Sequence, residues 1–508
     1  MAQELKSINL VAPAFKGVNT EDSPLAQDPS FAEIADNAVI DKRGRIASRK
    51  GHTVLTTNKT VLGNDSLRAI KNYRDDAGNT KLFSVGNNKI ISGTTTLVDE
   101  TPSGYAINAN DWKIVNFNDH LFFFQRGYEP LVYAHHTGNV EAMSSHTHAS
   151  GVASTMYGNE VLAAYGRLWT ADFSTNKSTI YWSDLLDGVA WAGGSSGSID
   201  ISKVWPDGYD EIVALAAHND LLIIFGKHSI VVYEGATSPD SMALVDTVAG
   251  IGCVNRDTVQ YTGTDVLFLA HTGLKSFGRT IQEKSMPISS LSGNITKDII
   301  RSLQDVNNTF FRSVYSPEES FYLLTFVNQD VTYCFDVRGT LENGSYKITR
   351  WVSTGFSSYS RKENGDLLIG TSEGVSKYEG YEDNNKSYRF KYYSPSLTFG
   401  DSSRVKILKK LKPTLVGANN ATVFLKWAYD FNGSYSTAEF TVGNQITGFY
   451  GESEYTTVEF TGGVLTAQKS LNATGYGTSI VVGLEADING NQLSLQEINV
   501  MALIGKLL

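Results

Sequence analysis

The feature that most constrains this chain is a rhythm of paired apolar runs, each pair joined by turn residues. Leu82, Leu121, Leu168, Leu221, Val266, Tyr322 and Leu367 each open such a pair, with a mean step of about 48 residues. Leu121-Phe122-Phe123-Phe124 leads to Leu131-Val132-Tyr133, and Leu221-Leu222-Ile223-Ile224-Phe225 leads to Ile230-Val231-Val232-Tyr233. Sheet-sized units repeating every ~40–50 residues predict propeller blades. One small sheet cannot bury both faces alone; stacking sheets radially buries them and leaves short edges. Six or seven blades are expected, without the Trp-Asp or Gly-His signatures of WD repeats. The competing arrangement is a set of unrelated hairpins in sandwiches. Polar turns recur before the leading runs, as in Asn118-Asp119, Asn219-Asp220 and Asn364-Gly365-Asp366. These residues tolerate left-handed backbone and suit tight hairpins, so the turns read as structural.

Composition agrees with an all-β chain. Among 508 residues there are 25 Tyr, 24 Phe, 7 Trp and 46 Gly, but only 11 Pro. The 41% hydrophobic content excludes a disordered chain. The net charge of −10 argues against a dedicated duplex-binding protein, which needs a basic face. Cys253 and Cys334 read as buried free thiols. The first residues lack the apolar run of a signal peptide, and no stretch approaches ~18 apolar residues, so no membrane span is expected.

Two flanking regions depart from the rhythm. Residues 1–60 hold three prolines and read as an N-terminal arm. Within it, 28–37 could form one short helix with Ser30 as N-cap and Glu33 as capping-box partner. Asp41-Lys42-Arg43-Gly44-Arg45 looks like a hairpin tip. Residues 61–380 are the expected β-propeller. Beyond a polar linker at 381–387, longer alternating runs such as 421–430 predict a C-terminal antiparallel sandwich or barrel-like domain over 381–508.

Few motifs carry chemistry. There is no phosphate-binding loop, His-Glu-x-x-His or Cys-x-x-Cys. Gly-x-Ser-x-Gly occurs at 193–197 and 370–374, but neither match sits between a strand and a helix, so both read as turns. His135-His136 and His146-x-His148 could chelate a metal if strand-borne, but lie in a stretch that reads as a loop. Acidic pairs at 21–22, 75–76, 210–211, 318–319 and 382–383 read as exposed turns rather than glycosidase carboxyls. No cofactor is implied, and an enzyme is not expected.

Two basic clusters stand out. The first is Lys42, Arg43, Arg45, Arg49 and Lys50; the second is Arg404, Lys406, Lys409, Lys410 and Lys412. On one strand, Arg404, Lys406, Lys410 and Lys412 would share a face, with Lys409 out of pattern. An ordinary solvated face is one account. Docking to an acidic partner is the other, making these ten residues candidate assembly contacts.

Lys16-Gly17-Val18-Asn19-Thr20, Ser23-Pro24-Leu25, Glu33-Ile34-Ala35-Asp36-Asn37-Ala38 and Gly44-Arg45-Ile46-Ala47-Ser48-Arg49-Lys50-Gly51 resemble the opening of short-tailed bacteriophage tail nozzle or hub proteins, also called tail tubular or DNA-stabilisation proteins. Ser394-Pro395-Ser396-Leu397-Thr398-Phe399-Gly400, with basic residues after it, is also similar. The resemblance covers about 35 residues in motif and the rest only in architecture. It implies a virion structural protein, assembled in the host cytoplasm into a ring, usually a hexamer, below the portal and adaptor proteins. Such a ring retains packaged DNA and conducts it during ejection, with tail fibres as further partners. An acidic wall suits duplex DNA passing through without specific binding, since a Lys/Arg lining would grip phosphates. The alternative readings are a glycan-binding or glycan-degrading propeller at the virion surface and a cytoplasmic protein-interaction propeller.

Overall fold

The computed structural model describes residues 4–56, 66–86, 88–105, 107, 111–283, 290–305, 310–443 and 466–507. All seven hairpins read from the rhythm form, and each supplies the second and third strands of one blade. Blade 1 is Ala69–Arg74, Thr80–Gly86, Lys89–Ser92 and Val98–Asp99; blade 2 is Lys113–Phe117, His120–Phe124, Leu131–Ala134 and Val140–Ala142. Blade 3 runs from Glu160–Ala164 to Gly197–Asp200, blade 4 from Ile212–His218 to Ala243–Ala249. Blade 5 has three strands, Gln260–Tyr261, Val266–Ala270 and Gly273–Ser276. These five sheets and blade 7 are self-contained. Blade 6, Phe311–Ser316 to Tyr346–Val352, is the leading part of a nine-stranded sheet.

Burial closes the circle. Separate apolar clusters fill the successive gaps: Phe83 with Phe123 between blades 1 and 2, Phe122 with Leu168 between 2 and 3, Trp169 with Leu222 between 3 and 4, and Phe225 with Phe268 between 4 and 5. Phe321 and Ile369 join blades 6 and 7, and Ile70 with Leu368 returns from 7 to 1. The turns follow the chemistry of their residues: Asn118-Asp119 and Asn219-Asp220 have positive φ at both positions, the geometry of two-residue hairpins.

Blade 7 shows how the ring is locked. Its inner strands are Ser358–Arg361, Leu367–Thr371 and Gly374–Tyr378, and its outermost strand is His52–Val54, from the other end of the chain. Residues 4–54 are therefore built in rather than protruding as an arm. Glu4–Val11 pairs along Leu493–Leu507, and Ala38–Ile40 forms a hairpin with Ile46–Ser48. No helix forms over 28–37. Instead Ile34–Asp36 slots between Tyr346–Val352 and Tyr388–Tyr393 and takes ladder bonds from both sides. Those tertiary partners outweigh a local capping preference.

Towards the C-terminus two sheets pack face to face, and they draw on both ends of the chain. One sheet continues blade 6 through Ile34–Asp36 into Tyr388–Tyr393, Ile480–Ile488, Thr422–Tyr429 and Ser436–Thr441. The facing sheet is centred on Leu493–Leu507 and Arg404–Gly417. Leu425, Leu484, Leu411 and Val500 fill the space between them, in the same core cluster as Leu269, Tyr322 and Ile348 of the propeller. Core packing thus crosses residue 380 without a break.

Candidate functional site

The first basic cluster lies where three parts meet. A cleft of about 670 Å³ opens between the 38–48 hairpin and blade 6, lined among others by Lys42, Arg43, Arg45, Lys50, Arg338 and Lys347, and by Asp41, Glu319 and Asp336. Most of its charges are paired. Arg45 Nε donates to Asp41 at 2.8 Å, Lys50 pairs with Glu319, and Arg338 forks onto Asp336 at 2.8 and 2.6 Å. Arg338 also donates to the Ile40 and Asp41 carbonyls, tying the hairpin to blade 6. Lys42 and Arg43, at the exposed hairpin tip, make no side-chain ion pair among the described residues.

Arg49 is placed differently. It is fully buried and pairs bidentately with Asp383 at 2.8 and 2.6 Å. Its Nε donates to Asn37 at 3.1 Å, and the guanidinium stacks 4.2 Å from the Tyr388 ring centroid. Burial pushes the Asp383 carboxyl up, but the hydrogen bonds from Arg49 and the His52 ring 3.3 Å away overcome this and hold it at about 2. Asn37 is a second knot. Its backbone is left-handed, φ +52°; its side chain accepts from Val352 N at 3.2 Å and donates to Arg389 O at 2.9 Å.

Close backbone contact explains two glycines here. A Cβ on Gly17 would lie 2.5 Å from the Ile348 backbone, and one on Gly51 would lie 1.9 Å from Glu382 O. Gly17, Asn37, Arg49 and Gly51, all within the segments quoted for the resemblance, therefore stitch propeller to sandwich.

The second basic cluster does not form one face. Register shifts at Arg404/Lys406 and Leu408/Lys410 interrupt the alternation of Arg404–Gly417, because a bulge re-aims the residues after it. Lys406 turns inward and is fully buried, donating to Thr478 O at 2.7 Å and to Asp401 O; burial lowers its pKa. Lys409 and Lys410 are exposed and Lys412 is half-buried, none with an ion pair among the described residues. Arg404 pairs with Asp401 at 3.2 Å. Of the ten candidate contacts, Lys42, Arg43, Lys409 and Lys410 are exposed with no ion pair, whereas Arg49 and Lys406 are occupied internally.

The other motifs also find their places. Ser195 hydrogen-bonds Asp184 and Arg167 within a turn, and Ser372 lies in the exposed turn of blade 7. His136 and His146 meet His120, which sequence reasoning did not single out, with ring centroids 5.1–6.1 Å apart. His146 Nδ1 contacts Glu141 at 2.5 Å, and burial lowers the His120 pKa. No group of three or more His, Cys, Asp or Glu able to hold a metal ion occurs among the described residues. Cys253 and Cys334 are free and buried; burial pushes the Cys253 thiol up to about 12. No helix among the described residues is long and apolar enough to cross a membrane. Asp336, Arg338 and Asp383, which complete the junction, are scattered singly along the chain and carry no spacing signal.

No family model matches the chain, and no curated protein matches it. Solved structures similar to it include an extracellular domain assigned to a hybrid two component system from B. thetaiotaomicron, with TM-score 0.41 and 10% identity over 81% of this chain and 47% of that one. The chain thus spans about half the length of that structure. The Neurospora crassa Pan2 WD40 domain is similar at TM-score 0.38 and 8% identity, covering 65% of this chain and 94% of that one. YCF48 bound to D1 peptide gives TM-score 0.36 and 8% identity, covering 62% and 93%. The propeller assignment rests on the sheet order and inter-blade cores described above.

Proposed function

We propose that the protein is a non-enzymatic structural subunit of a short bacteriophage tail. It assembles into a nozzle or hub ring, a hexamer, below the portal and adaptor proteins, and conducts packaged DNA without gripping it. The observation that carries this reading is the outer edge of Glu4–Val11. This eight-residue strand pairs with Leu493–Leu507 on one side, and no described strand pairs with its other side. Leu5 and Val11 on it are each 61% exposed. A long open edge is a template for strand addition, which proteins otherwise cover or interrupt. Successive copies pairing edge to surface form the heterologous contacts that close a ring. Lys42, Arg43, Lys409 and Lys410 supply steering charge toward acidic neighbours. The resemblance of the segments within residues 16–51 supplies the identity of the assembly, and the net charge of −10 suits a wall that repels phosphate.

The glycan alternative has less support. In each of the five acidic pairs at least one carboxylate already accepts from its own turn or a cation: Asp22 from Asn19, Asp75 from Asn79, Asp210 from Glu211 N, Glu319 from Lys50 and Asp383 from Arg49. Electron microscopy of purified particles tests the proposal. A ring of this chain at the tail vertex is expected, and its absence there would overturn the reading. Sedimentation of the purified chain adds a second test: Leu5→Lys combined with Val11→Lys should leave monomers where the unaltered chain forms rings.

A further inference from the structure

The acidic balance of the chain is not shared by the propeller axis. A half-open cavity of about 460 Å³ is lined by the innermost strands of blades 1, 2, 5, 6 and 7 and the turn before blade 5. Its wall carries Arg68, Lys71, Lys113, Arg256, Arg312 and Arg361, drawn from five places in the ring, with Asp257 as the acidic residue of the lining.

Three carboxylates serve three of these cations. Lys113 donates to Glu160 at 2.6 and 2.7 Å, Arg256 Nη2 to Asp111 at 2.7 Å, and Arg312 Nη1 to Asp257 at 2.8 Å. The side chains of Lys71 and Arg361 make no hydrogen bond or ion pair among the described residues. Burial lowers the Lys71 pKa, and Lys113 and Arg361 add repulsion.

The paired arginines are also incomplete. Arg256 and Arg312 are 3% and 7% exposed, yet Arg256 Nη1 and Arg312 Nη2 find no acceptor. Arg256 Nε stands 3.7 Å from Asp257, beyond hydrogen-bond range. Trp112 Nε1 and Ser358 Oγ, on the same wall, are buried and unpaired as well. Folded proteins satisfy most buried donors, so several orphaned ones around one cavity need a common acceptor. Water could accept hydrogen bonds there but would not neutralise the surplus charge; an oxyanion does both.

We propose that the axial cavity binds a compact, multiply charged oxyanion of the phosphate-ester or polycarboxylate class. Arg312 and Arg256 offer fixed forks, and Lys71 and Arg361 supply the unmatched charge. The volume lies in the range of small-molecule sites and suits a ligand of this size rather than a duplex. The inference stands apart from the tail proposal, since it needs only one folded chain.

Calorimetric titration of the full-length protein with pyrophosphate and with citrate, at fixed ionic strength, tests it. Saturable, mutually competitive binding is expected, and the tighter of the two distinguishes phosphate from carboxylate chemistry. Arg361→Gln, whose side chain is exposed and unpaired, should weaken binding about tenfold or more while leaving the thermal midpoint of the free protein near its original value. Lys71→Met should do the same, Arg361→Lys should retain part of the affinity, and Lys409→Gln should retain all of it. No saturable binding to the unaltered protein, or equal affinity in Arg361→Gln, would overturn the site even if Lys71→Met failed to fold.

Discussion

Two buried arginine environments, at the junction and at the propeller axis, use the same side chain in opposite ways. Arg49 has an acceptor for Nε, Nη1 and Nη2, an aromatic face to stack on and a bidentate carboxylate. Arg256 and Arg312 have carboxylates too, but they keep donors without acceptors and share a cavity with Lys71 and Arg361, which have no counter-ion. A completed network holds parts together; an incomplete one around a cavity is shaped for something else. The flanking acids diverge as well. Asp383 is held low by its partners, whereas burial of Glu160 outweighs Lys113 and Arg256 and raises its pKa.

The largest expected effect breaks the completed side. Arg49→Met leaves Asp383 without its fork and should cost about 3–5 kcal/mol, since removing one partner of a buried pair strands the other charge. Urea unfolding measures this. A loss no larger than that of a surface substitution would mean that the junction does not unite propeller and sandwich.

Acid titration comes next. Asp383 is depressed from 3.8 to about 2, so its contribution, about 2 kcal/mol, is present above pH 3.8 and lost as pH falls through about 2. Glu160 has the opposite sign: its raised pKa favours the fold at low pH, and that advantage is lost as pH rises through the folded value. Unfolding free energies measured across this range for Arg49→Met should lack the acid-labile part, whereas those for Arg361→Gln should retain it.

Much of the ring was legible and most of its seam was not. The seven leading runs named the second strand of every blade because that strand is buried on both faces and reads as an unbroken apolar run, as in Leu121–Phe124. The Asn-Asp turns were readable because their φ requirement is local. Ile34–Asp36 was not, because its partners lie more than 300 residues away. The basic strand misled because a bulge, which no residue type announces, rotates Lys406 inward. Lys71, Lys113, Arg256, Arg312 and Arg361 escaped notice for a simpler reason. Cations scattered over separate blades form no run in sequence, and only ring closure brings them to one wall. The signal available was positional, a charged residue in or beside the first strand of a blade, where the propeller axis is.

Backbone approach at the junction gives a smaller, sharper test. Gly51→Ala places a Cβ against Glu382 O and should cost roughly 1–3 kcal/mol as the chain ends move apart. Gly44, at the tip of the 38–48 hairpin, has open space around its Cβ position and φ +77°, so Gly44→Ala should cost only the left-handed penalty, about 1 kcal/mol. If both cost the same, close packing at the seam is not what Gly51 provides.

The smallest effect is the most diagnostic, because it changes sign. In a buffer free of multivalent anions, Arg361→Gln removes a cation that repels Lys71 and has no partner, so stability should be unchanged or rise by up to about 0.5 kcal/mol. With pyrophosphate at a hundred times its dissociation constant, the unaltered protein should gain about 2.7 kcal/mol from ligand bound to the folded state. At the same concentration the weakened variant should gain visibly less, so the order of the two thermal midpoints should reverse. An order independent of the anion would make the axial arginines a structural network like that of Arg49, and the contrast between the two regions would disappear.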